Sequence, residues 1–130
     1  MAEIIKVSSY KNGQIIFHFS NKVQLSIIWD WGSYSDNNMK RPKDINRPYD
    51  EVWSSKTVEV YSIGSNPNGI NEWLDFMYGG NPAGYIPAQD IPIIIERACE
   101  WILRTDTTYL THVENIQLIY SVHIDSLAWW

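Results

Sequence analysis

Apolar and polar residues alternate along three consecutive segments near the start of the chain, and this period of two predicts an antiparallel meander. The first segment runs from Glu3 to Tyr10. Asn12-Gly13 then supplies the left-handed backbone that a tight hairpin needs. In the second segment Ile15, Phe17 and Phe19 share one face, while Gln14, Ile16 and His18 share the other. After a turn at Ser20-Asn21, Val23, Leu25, Ile27 and Trp29 form a comparable apolar stripe. Opposite them lie Lys22, Gln24, Ser26 and Ile28, which predicts that one face of the sheet is wet.

From Gly32 to Asp50 neither period is visible, and Asp, Asn, Pro, Ser and Lys dominate, so a long loop is expected. Loops of this length are uncommon in compact domains unless they carry function. Lys56 to Ile63 predicts another strand, with Val58 and Val60 on one face and Thr57, Glu59, Tyr61 and Ile63 on the other. The run Gly64-Ser65-Asn66-Pro67-Asn68-Gly69 has the strongest turn composition in the chain. Asn71 to Tyr78 fits either a helical turn, through Trp73, Phe76 and Met77, or a short strand between glycines. Beyond the break at Gly79-Gly80-Asn81-Pro82, Gly84-Tyr85-Ile86-Pro87 leads to a helix over about Asp90 to Arg104. There Ile91, Ile94, Ile95, Ala98 and Ile102 recur as a single stripe. Asp90 can cap its first turn, Pro92 is tolerated there, and Arg104 suits the negative end of the dipole. Finally Ile116, Leu118, Tyr120, Val122 and Ile124 alternate with Gln117, Ile119, Ser121 and His123 and predict a last strand. The expected architecture is α+β, an antiparallel sheet of about four to six strands carrying one principal helix, in a single domain over residues 1–130.

Composition narrows the role more than the fold. At 130 residues, 45 % hydrophobic and 19 % charged, the chain can bury one core. Its net charge of -5 and pI near 5.0 disfavour extended nucleic acid, whose phosphates attract surplus Lys and Arg, and suit a basic partner instead. Cys99 is the single cysteine, so no internal disulfide can form, and a reducing, cytoplasmic setting is expected. No run approaches the eighteen or so apolar residues that cross a bilayer, and no membrane association is expected.

The candidate chemistry is sparse. His18, His112 and His123 lack the short fixed spacing of metal ligands, so no metal or other cofactor is expected. Cys99 neighbours Glu96 and Glu100, which oppose a reactive thiolate. The run Gly79-Gly80-Asn81-Pro82-Ala83-Gly84 lacks the Lys and Ser or Thr of a phosphate loop and reads as a turn. Paired acids such as Asp30 with Asp36, or Asp44 with Asp50, have no specified nucleophile or base beside them and read as solvated loop carboxylates. No enzyme is predicted.

One constellation stands apart. Trp29, Trp31, Tyr34 and Asp36 are followed closely by Lys40, Arg41, Lys43 and Arg47, which are four of the ten basic residues, and then by Trp53. Aromatic faces stack on bases while Lys and Arg hold phosphates, and aromatics with arginine are equally the anchors of protein interfaces. The bland reading is that Trp29 caps the core and the basic side chains are merely solvated.

A strand ending Phe-Ser-Asn-Lys-x-x-Leu-Ser-Ile is followed by Trp-Gly-Ser-Tyr-Ser-Asp-Asn, then Trp-Ser-Ser-Lys-Thr-Val-Glu-Val, then Gly-Tyr-Ile-Pro before a helix. Over Phe19 to about Ile102 this order resembles small uncharacterised proteins of tailed phages and their prophages. Those proteins carry a Gly-Pro-Gly-Asn-Tyr type of loop where this chain has Trp31-Gly32-Ser33-Tyr34, a departure that separates any ligand of theirs from this one. The resemblance implies phage origin and a host-cell cytoplasmic location, without an activity. The leading expectation is an accessory protein that inhibits a host defence system, in the manner of an anti-CRISPR, by binding a defence protein such as a CRISPR effector or another nuclease. A sponge for a cyclic-nucleotide immune signal is the first alternative. A minor structural or assembly protein, self-associating through Trp129-Trp130 into a homo-oligomer, is the second.

Overall fold

The computed structural model describes residues 2–9, 11–64 and 68–101; the expected last strand over 116–124, Arg104, His112, His123 and Trp129-Trp130 lie outside them. The alternating segments form β1 (Ile4–Ser8), β2 (Gln14–Phe19) and β3 (Val23–Ile28), and after a long connection β4 (Thr57–Gly64) follows. Then come α1 (Asn68–Tyr78), β5 (Ala83–Pro87), a 3-10 turn (Ala88–Asp90) and α2 (Ile91–Glu100). The sheet is antiparallel throughout, in the order β1-β2-β3-β4-β5, so the α+β expectation of a sheet carrying helices holds.

Cross-strand register explains where the core sits, because residues opposite one another share a face. Ile15 pairs with Ile27 and Ile27 with Val60; Val58 pairs with Ile86. These residues join Leu25, Val23 and Phe19 beneath Ile70, Trp73 and Leu74 of α1 and Ile94 and Ala98 of α2. Trp73, at the centre, is fully buried.

Two elements exceed what the pattern predicted. The ambiguous Asn71–Tyr78 segment is the end of a full helix. Its inward stripe is Ile70, Trp73, Leu74 and Met77, whereas Phe76 faces outward, so a window opening at Asn71 misses the first member and takes Phe76 for another. Ala83–Pro87 is an edge strand, too short and too rich in Gly and Pro to betray a period. Where β5 stops following β4, Asn71 takes its place: its Oδ1 accepts from Ser62 N–H at 2.7 Å and its Nδ2 donates to Ser62 C=O at 3.0 Å.

α2 begins as expected, but Asp90 makes no side-chain cap; its Oδ2 accepts from Tyr78 O–H at 3.1 Å. At the other end Asn21, in the β2–β3 turn, donates to Ala98 and Trp101 carbonyls at 2.8 and 3.0 Å, and so satisfies groups that a helix end leaves open. The second sheet face is drier than alternation alone implies. Gln14, Ile16 and Ser26 are buried there, and the Asn81-Pro82 turn shares a cleft with Gln14 and Ser26.

Candidate functional site

The connection between β3 and β4 opens with a hydrogen-bonded knot of short polar side chains. Asp30, Ser33, Ser35 and Asn37 are buried, the last three alternating with the exposed Tyr34 and Asp36. The Asp30 carboxylate accepts from Gly32 N–H at 3.0 Å and pairs with Lys11 Nζ at 2.9 Å, and its carbonyl accepts from Ser33 Oγ at 2.8 Å. Ser33 and Ser35 hydroxyls meet at 2.8 Å, and Asn37 Nδ2 donates to the carbonyls of Trp29 at 2.6 Å and Ser54 at 3.0 Å. Asp, Ser and Asn suit this work because their short side chains reach the nearby backbone and replace a regular ladder.

The same loop is stitched across the sheet edge. Tyr34 N–H donates to Glu59 Oε2 at 2.6 Å, and Tyr34 C=O accepts from Tyr85 N–H at 2.8 Å. Asp36 N–H donates to Thr57 Oγ1 at 2.9 Å, and that hydroxyl donates to Asp36 Oδ1 at 2.9 Å. Gly84 permits the approach: a Cβ there would stand 2.4 Å from Tyr34 Cβ. Tyr34 is left half exposed beside Tyr85, also half exposed and held at φ 54. With Tyr78 and the 79–82 turn they line an open cleft of about 410 Å³. Burial, then the charge and hydrogen bond of Asp90, push the Tyr78 phenol far above its ordinary range, so it stays a neutral donor.

The candidate residues separate accordingly. Trp29 packs partly against the core and its Nε1 donates to Trp53 C=O at 2.8 Å, a tie between the two ends of the connection. Trp31 lies against Tyr49, with ring centroids 6.3 Å apart, and its buried Nε1 has no acceptor. Tyr34 and Asp36 are exposed members of the stitched segment. Lys40 Nζ donates to Asn37 Oδ1 at 3.1 Å, and Arg41 and Arg47 are exposed farther along. None of the basic residues of the 40–47 stretch lines the tyrosine cleft. Tyr78, Gly84 and Tyr85 line this cleft without being among the sequence candidates; the Gly-Gly-Asn-Pro turn between Tyr78 and Gly84-Tyr85 is the visible signal in the sequence.

A second cleft, of about 540 Å³, opens on the sheet face away from the helices, between Gln14 and Ile63 and roofed by Asn81 and Pro82. His18 lies on that face with Nε2 2.8 Å from Ser8 Oγ. Among the described residues no three His, Cys, Asp or Glu side chains gather as a metal site, and no described helix is long and apolar enough to cross a membrane. Burial pushes the Cys99 thiol above its ordinary range, with Glu100 and Glu96 adding to the shift. No family model, curated protein or solved structure matches the chain.

Proposed function

We propose that the chain is a non-enzymatic accessory protein of a tailed phage that inhibits a host defence system by binding one of its proteins, a CRISPR effector or another nuclease. The observation that carries the binding role is the stitched 30–38 loop. Buried side chains fix its backbone while Tyr34 and Asp36 face outward beside Tyr85. A contact surface that is ordered in advance loses little conformational entropy on association, which is where flexible loops forfeit affinity. The net charge of -5 favours a basic counterpart and speeds encounter with it, as expected for a competitor of guide or target nucleic acid. Phage origin and the choice of a defence protein rest on the sequence resemblance.

Coexpression pull-down of the full chain with a set of host defence proteins tests this reading. A stoichiometric complex weakened by Tyr34→Ala is the expected result; no stable complex across the set would remove it. A cyclic nucleotide held as a sponged signal is the rival, and the size and tyrosine lining of the 410 Å³ cleft favour a flat aromatic ligand there. Among the described residues no Lys or Arg in that lining would meet phosphates. A ligand at 100 times its dissociation constant raises stability by about 2.7 kcal/mol, so a thermal-shift panel of cyclic nucleotides decides between the two.

A further inference from the structure

We propose that the cleft on the sheet face opposite α1 and α2 is an anchor pocket for the guanidinium of an arginine presented by a basic partner. This rests on the binding role above and names the chemistry its partner must offer. Register lays out the pocket floor. Gln14 pairs with Ile28, and Ile28 pairs with Glu59, so the carboxamide and the carboxylate rise from strands on either side of one isoleucine. At about 4.8 Å between neighbouring strands their backbones stand about 10 Å apart, within converging reach of two long side chains. In the next row Ser26 pairs with Tyr61, which brings a phenol ring to the same cleft, and Ile63 closes it.

Two acceptors in this pocket are open. Gln14 is only 7 % exposed; its Nε2 donates to Ser26 Oγ at 3.3 Å, and its Oε1 has no partner. A buried carboxamide oxygen without a donor is costly, and it is tolerated where a ligand brings the donor. Glu59 uses Oε2 for Tyr34 N–H, its side chain lines the cleft, and its second carboxylate oxygen can accept a further donor. Among the described residues Glu59 is also the one formally charged side chain of the lining, so the cleft favours a cation and repels phosphate or carboxylate. Arginine meets every feature: a planar fork of five donors for two separated acceptors, a face that stacks on Tyr61, and a methylene stem for Ile28 and Ile63. The tie between Glu59 and Tyr34 makes the pocket continuous with the stitched loop, so one partner can engage both.

The test is NMR titration of the full ¹⁵N-labelled chain with N-acetyl-arginine amide, and in parallel with the isosteric but uncharged N-acetyl-citrulline amide. The arginine probe should shift the Gln14 side-chain amide saturably, with a dissociation constant on the order of 1 mM, and bind about tenfold more tightly than citrulline. Glu59→Gln, which keeps an acceptor for Tyr34 N–H, should remove that preference. Gln14→Leu should abolish binding while the melting temperature holds or rises, since the variant deletes an unpartnered buried oxygen. Absence of saturable shifts, equal binding of both probes, or a lower melting temperature for Gln14→Leu would overturn the proposal. A chain that binds the probe yet captures no defence protein keeps the pocket and loses the functional reading. A captured complex indifferent to both substitutions keeps that reading and overturns the pocket.

Discussion

The two halves of the β3–β4 connection have similar polar, turn-forming composition and opposite physical character. In residues 30–38 Asp30, Ser33, Ser35 and Asn37 are turned inward, and backbone N–H groups find partners as far away as Thr57 and Glu59. In residues 40–52 the backbone bonds are local: Arg47 N–H to Asp44 C=O, Asp50 N–H to Arg47 C=O, Lys43 N–H to Glu51. Its apolar side chains stand in solvent, Val52 at 83 % and Ile45 at 64 % exposure. Tyr49 against Trp31, with Lys11 Nζ 5.5 Å from its ring, and Asp50 C=O accepting from Asn12 Nδ2 tether this half to the body. Composition predicts a loop; whether the loop is a fixed surface depends on which side chains replace the missing ladder.

Breaking the first half should have the largest effect. Asn37→Ala strips donors from the Trp29 and Ser54 carbonyls and should cost about 3 kcal/mol in urea unfolding, with increased mobility of Tyr34. Gly84→Ala comes next: forcing a Cβ against Tyr34 should cost about 2 kcal/mol and release the Tyr85 to Tyr34 bond, visible as faster exchange of the Tyr85 amide.

Both predictions rest on features the sequence only half reveals. Alternation predicts β1 to β4, and the stripe predicts α2 but runs past its observed end at Glu100, where Trp101 is extended; each element is legible because it repeats one relation to the core several times. The inward Asp30, Ser33, Ser35 and Asn37 also recur, but polar residues in a turn-rich run carry no sign of which side faces the protein. The Tyr34 to Tyr85 contact joins positions distant in sequence and depends on Gly84, whose role is visible only when the neighbouring backbone is in place. Trp29, conspicuous in the sequence as an aromatic at a strand end, packs partly on the core and donates its Nε1 to the backbone carbonyl of Trp53.

Smaller effects sharpen the contrast. Because Tyr78 is harder to ionise in the folded chain than in the unfolded one, protons leave the unfolded state first as pH rises above about 10. Stability should therefore fall above that pH, and Tyr78→Phe should make the fall shallower in pH-dependent denaturation. In the second half Arg41→Ala and Val52→Ser should change stability by no more than about 0.5 kcal/mol. Any loss of partner capture by Arg41→Ala then reports contact alone.

Amide hydrogen exchange of the free, full chain tests the preformed surface most directly. The amides of Gly32, Ser33, Tyr34, Asp36 and Asn37 should be protected like those of β3 and β4, and those of residues 40–52 should exchange much faster. Equal, rapid exchange across the whole connection would contradict the account, since a surface that orders only on binding would not be the one described above.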